Sequence, residues 1–130
     1  GNQATSENHK LNEHPKILQA LGGEKIVWAG RVTQLAGVRS KEMKVRVLVV
    51  SDSAVYKVRA EALGKIKRRI DFKDLNQISF NLSNNNFIMH CTKYDYRYTS
   101  VDCNEVVEKI KEARQKWTER NPNFPGLKGP

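Results

Sequence analysis

Apolar and polar residues alternate in short runs through the middle of the chain. The first runs cover residues 25–36, 43–50 and 54–60; the later ones cover 65–72, 75–82, 87–91 and 94–101. Period-two alternation with β-branched and aromatic residues predicts seven strands. Ser51-Asp52-Ser53 and Leu63-Gly64 read as connections, and the asparagines at 84–86 read as a turn, because Asn tolerates left-handed backbone angles. In the second run Lys44 and Arg46 share one parity while Val45, Val47 and Val49 take the other. The valines are therefore expected to bind this strand into the core, with the cations facing away. In the fourth run Arg68 shares a parity with Ile66, Ile70 and Phe72, so it must snorkel, pair inside or sit at a bulge.

Two segments carry helical spacing instead. Ile17, Leu18 and Leu21 predict a short amphipathic helix, opened near Pro15 and closed by Gly22-Gly23. Val106, Ile110, Ala113 and Trp117 form a longer stripe. Asp102 and Glu105 supply a capping box before it, with Val101 and Val106 at the staple positions. Glu105 with Lys109 and Glu112 with Lys116 add supporting charge pairs, and the helix should stop before Asn121-Pro122. The order predicts a mainly β fold with a C-terminal α-helix: a seven-stranded antiparallel barrel capped by one helix, with a short N-terminal helix. Residues 1–12 read as a flexible leader, 13–120 as a single domain and 121–130 as an extended tail.

Charge changes the picture most. The chain has 130 residues, enough for one core, and a formal net charge of +9. Eleven basic residues against five acidic ones lie between Arg39 and Asp74, so most of the excess is concentrated there. Such a balance favours an anionic partner: phospholipid, nucleic acid or an acidic protein surface. Solvated cations that protect strand edges are the plain alternative for any single residue. No apolar stretch is long enough for a helical membrane span, and no secretory leader pattern is seen. Cys91 and Cys103 are too few for a disulfide framework, so a cytoplasmic setting is expected. If a Met preceded Gly1, Gly1 with Thr5 would fit the myristoylation pattern; a glycine left by tag removal is the other reading.

Other chemistry is weakly represented. His9, His14 and His90 lack ligand spacing with the cysteines, so no metal is expected. No nucleophile constellation or Gly-rich phosphate loop is evident, and neither enzyme activity nor a cofactor is expected. Tyr94, Tyr96 and Tyr98 could stack bases, but they read more simply as cross-strand packing, and no nucleic-acid module is matched. Trp28 and Trp117 read as core.

The start of the second strand, Lys44-Val45-Arg46-Val47-Leu48-Val49, resembles the Lys-x-Arg-x-apolar pattern of phosphoinositide-binding pleckstrin-homology (PH) domains. Arg31 on the first strand is the candidate for the earlier basic residue of that pattern. The stretches AVYKV and IKRRIDFKDLNQISFNLSNNNFIMHC resemble the PH-like tail-homology domain of class I myosins. Gly1 and the chain length suggest a second comparison, small acylated PH proteins of protists. The resemblance spans about residues 25–117, although Trp117 falls late in the helix and Ile110 holds the more central place.

The resemblance implies a non-catalytic module that binds phosphoinositide or phosphatidic acid at the barrel's open end. Arg31, Arg39, Lys41, Lys44 and Arg46 would stand there, with Lys57 and Arg59 in support. It also implies a monomer, peripheral on inner membrane surfaces, with anionic lipids as partners. The competing expectation is a PH-like scaffold or cytoskeletal domain that binds protein.

Overall fold

A computed structural model describes residues 11–35 and 43–129. Its strands are β1 (Ile26–Gln34), β2 (Lys44–Ser51), β3 (Ala54–Arg59), β4 (Ala62–Asp71), β5 (Leu75–Asn81), β6 (Asn86–Cys91) and β7 (Asp95–Thr99). Helix α1 (Pro15–Ala20) precedes them and α2 (Cys103–Arg120) follows. All seven predicted strands and both helices are present. The strands form one antiparallel sheet in the order β4-β3-β2-β1-β7-β6-β5. It does not close into the expected barrel, because β4 and β5 are its two edges.

Both faces of the sheet are buried along most of β2 and β3. On one face Trp28, Leu48, Val50, Val55 and Ile70 join the main core with Val106, Val107 and Ile110 of α2. On the other, Val47, Val49, Tyr56 and Val58 lie with Leu11, Ile17 and Leu21. A strand covered on both sides reads as a continuous apolar run, which is what residues 47–50 are. It follows that Val47 and Val49 belong to the layer with Ile17 of α1, and that Arg46 shares the main-core face with Leu48 and Val50. The expected facing of β2 is reversed.

Local chemistry explains the ends of the elements. Pro15 starts α1, with His14 Nδ1 accepting from the Lys16 N–H at 3.2 Å. Gly22 and Gly23 follow it at φ 62° and 95°, angles that other residues rarely adopt. Leu18, expected on the apolar stripe, is 47% exposed, while Ile17 and Leu21 are buried. Asn85 turns the β5–β6 hairpin at φ 54°, as the asparagine run predicts. In α2 the predicted stripe is buried apart from half-buried Trp117, and the helix ends before Asn121-Pro122. Val101 is 79% exposed, so the expected staple is not made. The ion pairs formed along α2 are Lys109–Glu112 and Glu108–Lys111, rather than the two expected.

After α2 the chain folds back on the domain. Phe124 packs on Trp117 at 5.1 Å, and the Lys128 N–H donates to Asn76 O of edge strand β5 at 2.9 Å. Arg114, almost fully buried, donates to Leu75 O at 3.2 Å and Pro125 O at 3.0 Å, joining helix, sheet and returning chain.

Two further differences bear on the site. Gly64, expected in a loop, lies inside β4, and the turn falls at Ala60-Glu61. A register shift near Lys67 sets Arg68 opposite Lys57 but Ile66 opposite Val58. This bulge carries Ile66 to the α1 side and leaves Arg68 on the face of Ile70, so the expected common face of Ile66 and Ile70 is broken.

Candidate functional site

Register places cations in layers on the face of the main core. Directly paired residues share a face. The innermost layer is apolar, with Val50, Val55 and Ile70. One step outward, Leu48 pairs with Lys57, which pairs with Arg68. The next step pairs Arg46 with Val32 and Arg59, and the last pairs Lys44 with Gln34. Lys57–Arg68 and Arg46–Arg59 are like-charge cross-strand pairs, an arrangement that ordinarily destabilises a sheet.

Arg46 is the most confined of these cations, at 9% exposure. Its Nη1 donates to Val45 O at 3.4 Å, while its buried Nε has no hydrogen-bond partner. Lys57 Nζ donates to Gln34 Oε1 at 3.3 Å and lies 5.8 Å from the centre of the Tyr96 ring. Arg68 lies 5.5 Å from the centre of the Tyr94 ring. Aromatic faces thus hold two of the cations, and no carboxylate pairs with Arg46, Lys57 or Arg68 among the described residues. Burial pushes the Lys57 ammonium below its ordinary lysine value, and the charges of Arg46, Arg68, Lys67 and Lys44 push it further.

The tyrosines of β7 and of the residue directly before it grade from core to rim. Tyr98 is fully buried on Phe87, Tyr96 is half-buried and Tyr94 is exposed. Burial raises the Tyr98 hydroxyl, against the pull of Arg46, and its oxygen lacks a hydrogen-bond partner. Two clefts open from this mouth. A basin of about 510 Å³ is lined by Lys44, Val45, Arg46, Arg59, Ala60 and Glu61. A narrower cleft of about 170 Å³ runs past Arg68, Asp74, Tyr94 and Tyr96.

The structure therefore brings together Lys44, Arg46, Lys57 and Arg59. Arg59 is partly engaged by Glu61 at 3.6 Å. Arg31 is elsewhere: it pairs with Val47, on the α1 side of the sheet. Gly1, Arg39 and Lys41 lie outside the described residues. Arg68, Tyr96 and Gln34 are additions that the sequence pattern does not single out as site residues. Only the conflict of Arg68 with its apolar neighbours signalled it in advance.

Neighbouring Arg69 shows the contrasting case. Its Nε donates to Tyr56 Oη at 2.9 Å, and its guanidinium pairs with Asp71 and, at 3.5 Å, with Glu24. Glu24 also accepts from Tyr56 Oη and, at 2.8 Å, from Ser51 Oγ. Burial and the Glu24 hydrogen bond raise the Tyr56 hydroxyl.

A Ser-His-Asp order also exists on the outer face of β5–β7. Ser79 Oγ lies 2.8 Å from His90 Nε2, and His90 Nδ1 lies 3.3 Å from Asp95 Oδ1. The sequence gives no hint of it, because the groups meet only across three strands. Hydrolysis would further need oxyanion donors and an acyl cleft, which three ordered groups do not supply. Burial and the charges of Asp95 and Asp74 push the Cys91 thiol up to about 12, so it is a poor nucleophile. Among the described residues no cluster of His, Cys, Asp and Glu could hold a metal ion, and no helix is long and apolar enough to cross a membrane.

Residues 2–124 match the family described as unconventional myosin tail, actin- and lipid-binding. The chain belongs to this family. Among solved structures, the N-terminal PH domain of human ARAP2 is similar at 11% identity, covering 78% of this chain and 88% of that one, with a TM-score of 0.60. The PH domain of human TBC1 domain family member 2 is similar at 13% identity, covering 84% and 92%, with a TM-score of 0.58. The DH/PH fragment of PDZRHOGEF, solved in complex with human RhoA, is similar at 14% identity and a TM-score of 0.61; the match covers 75% of this chain but spans only 31% of that one. None of the curated proteins matches. These likenesses establish a PH-like fold for this myosin-tail domain, in a family of binding modules described as actin- and lipid-binding.

Proposed function

We propose that the basic mouth binds the phosphate of an anionic phospholipid, phosphoinositide or phosphatidic acid, and so holds the domain on a membrane surface without catalysis. The observation that carries this is Arg46, buried with an unpartnered Nε and no carboxylate, beside half-buried Lys57. Burying unpaired charge is costly, and a phosphate would offset that cost with charge-assisted hydrogen bonds. Arg46 and Lys57 take the inner contacts. Arg68, Lys44 and Arg59 take the outer ones; Arg39 and Lys41, outside the described residues, add to the positive charge of this stretch of sequence. Arg31, on the opposite face, contributes at most long-range attraction. A myristoyl chain on Gly1 would supply a second membrane signal, since one chain alone binds marginally.

The test is co-sedimentation with phosphatidylcholine vesicles carrying phosphatidic acid or a phosphoinositide. Arg46→Met with Arg68→Ala should weaken binding at least tenfold, given about 1.5–3 kcal/mol per hydrogen bond to a charged group. Unchanged binding would remove the mouth from the function. A second reading, adhesion to an acidic protein filament, draws on the family's description as actin-binding and on exposed Phe80 beside Lys111. Co-sedimentation with actin filaments, without vesicle binding, would favour it.

A further inference from the structure

We propose that the groove between α2 and the returning chain is a second ligand site, separate from the basic mouth. It takes a small amphiphile that carries one carboxylate on a linear apolar chain, with buried Arg114 as the counter-charge. This site stands whether or not the mouth binds lipid.

Arg114 is 2% exposed, yet its hydrogen bonds all go to neutral acceptors: Thr118 Oγ1, Leu75 O and Pro125 O. Its buried Nε has no acceptor, and its guanidinium carbon lies 5.1 Å from the centre of the Trp117 ring. Among the described residues no carboxylate pairs with it. A buried cation held by neutral dipoles and a ring is short of compensation. Burial accordingly lowers the guanidinium below its ordinary arginine value.

Arg114 lines an open cavity of about 590 Å³, walled also by Thr118, Pro122, Gly126, Leu127 and Lys128. A hollow of about 80 Å³ continues from it past Ile78 and Phe80 of β5; the two share Lys111, Leu127 and Lys128. Arg114 lines the larger hollow and Phe80, 42% exposed, the smaller. Together they form an elongated trough, with Pro122, Leu127, Ile78 and Phe80 as its hydrocarbon, and such a shape fits an alkyl chain. Its size lies in the range of small-molecule sites. Lys111 and Lys128 join Arg114 in the walls against one carboxylate, Glu119, so the balance favours an anionic head. Much of the Arg114 donor fork is already engaged, which suits a single carboxylate rather than a polyphosphate.

The test is calorimetric titration with sodium laurate, below the concentration at which it forms micelles. Dodecyltrimethylammonium, with the same chain and a cationic head, and acetate, with the head and no chain, should not bind. Arg114 anchors the returning chain, so the variants leave it in place. Gly126 has no left-handed φ, and an added Cβ there meets nothing within 4 Å, so Gly126→Phe fills the trough without backbone strain. Gly126→Phe should weaken laurate binding about tenfold by taking up the chain's space. Lys111→Gln with Lys128→Gln should weaken it about tenfold by removing two cations from the walls. Arg46→Met with Arg68→Ala, which disables the mouth, should leave laurate binding unchanged.

No laurate binding, or binding unchanged in Gly126→Phe, would overturn the site. Loss of laurate in Arg46→Met with Arg68→Ala would also overturn it, by moving the anion to the mouth. Equal binding of dodecyltrimethylammonium would reduce the trough to an apolar surface with no use for Arg114. A failure of vesicle binding in the wild-type chain would sink the lipid-binding reading and leave this site untouched.

Discussion

Arg68 and Arg69 are sequence neighbours with opposite fates. Arg69 turns to the α1 side, where Tyr56, Glu24 and Asp71 satisfy it. Arg68 turns to the mouth, where it meets a tyrosine ring and further cations. The first cluster is a closed structural network: every charge has an opposite, and Ser51 ties it to the β2–β3 turn. The second is open, with like charges held together by β-sheet register; Glu61 engages Arg59 at its rim, and among the described residues no carboxylate pairs with Arg46, Lys57 or Arg68. The difference separates stabilising charge from charge held ready for a ligand. Counting basic residues along the chain cannot make that separation.

The largest effect should come from breaking the closed network. Glu24→Ala removes the acceptor shared by Tyr56 and Ser51 and the partner of Arg69, and should cost about 2 kcal/mol of stability. Denaturant unfolding would show it, while vesicle binding by the folded protein stays as in wild type. A comparable loss of binding would mean that the two clusters are not separate.

Lys57 should behave in the reverse sense. Its ammonium is depressed below the unfolded lysine value, so its charge costs stability. That cost is fully present below the folded pKa and disappears as pH rises from there to the unfolded value. Lys57→Met should therefore raise the stability of the ligand-free protein by about 0.5–1 kcal/mol while weakening anion binding. Because an anion favours the protonated lysine, binding should take up protons on the alkaline side. Calorimetry in buffers of different ionisation enthalpy would detect the uptake, and Lys57→Met should abolish it. A loss of stability in this variant would place Lys57 with the structural charges.

The smallest effect belongs to the rim. Tyr94→Ala removes the ring beneath Arg68 and should weaken vesicle binding by about 0.5 kcal/mol, as expected for an exposed cation–π contact. Titration against vesicles at low salt would resolve it. A loss above tenfold would make Tyr94 a direct ligand contact.

The strands and helices were legible because their signals are local. Alternation, Gly22-Gly23, the asparagine turn and the α2 stripe each act within a few residues. Errors cluster where a local signal had two outcomes. The bulge near Lys67 moved Ile66 to the other face, and Arg68 carried the only advance sign of trouble. Arg31 lies away from the mouth for a related reason: resemblance supplied a basic residue on β1, but pairing with Val47 fixed its face.

What the sequence determined by itself was the order of elements, the excess of positive charge and its concentration between β2 and β4. Alternation along β2 established that Lys44 and Arg46 share a face, but not which face. Leu48 and Val50 are as deeply buried as Val47 and Val49, because α2 covers one side of the sheet and α1 the other. A pattern with both phases apolar has no preferred direction. Only the packing of two helices from opposite ends of the described chain turned Arg46 into the mouth, and only sheet register set Lys57 and Arg68 beside it.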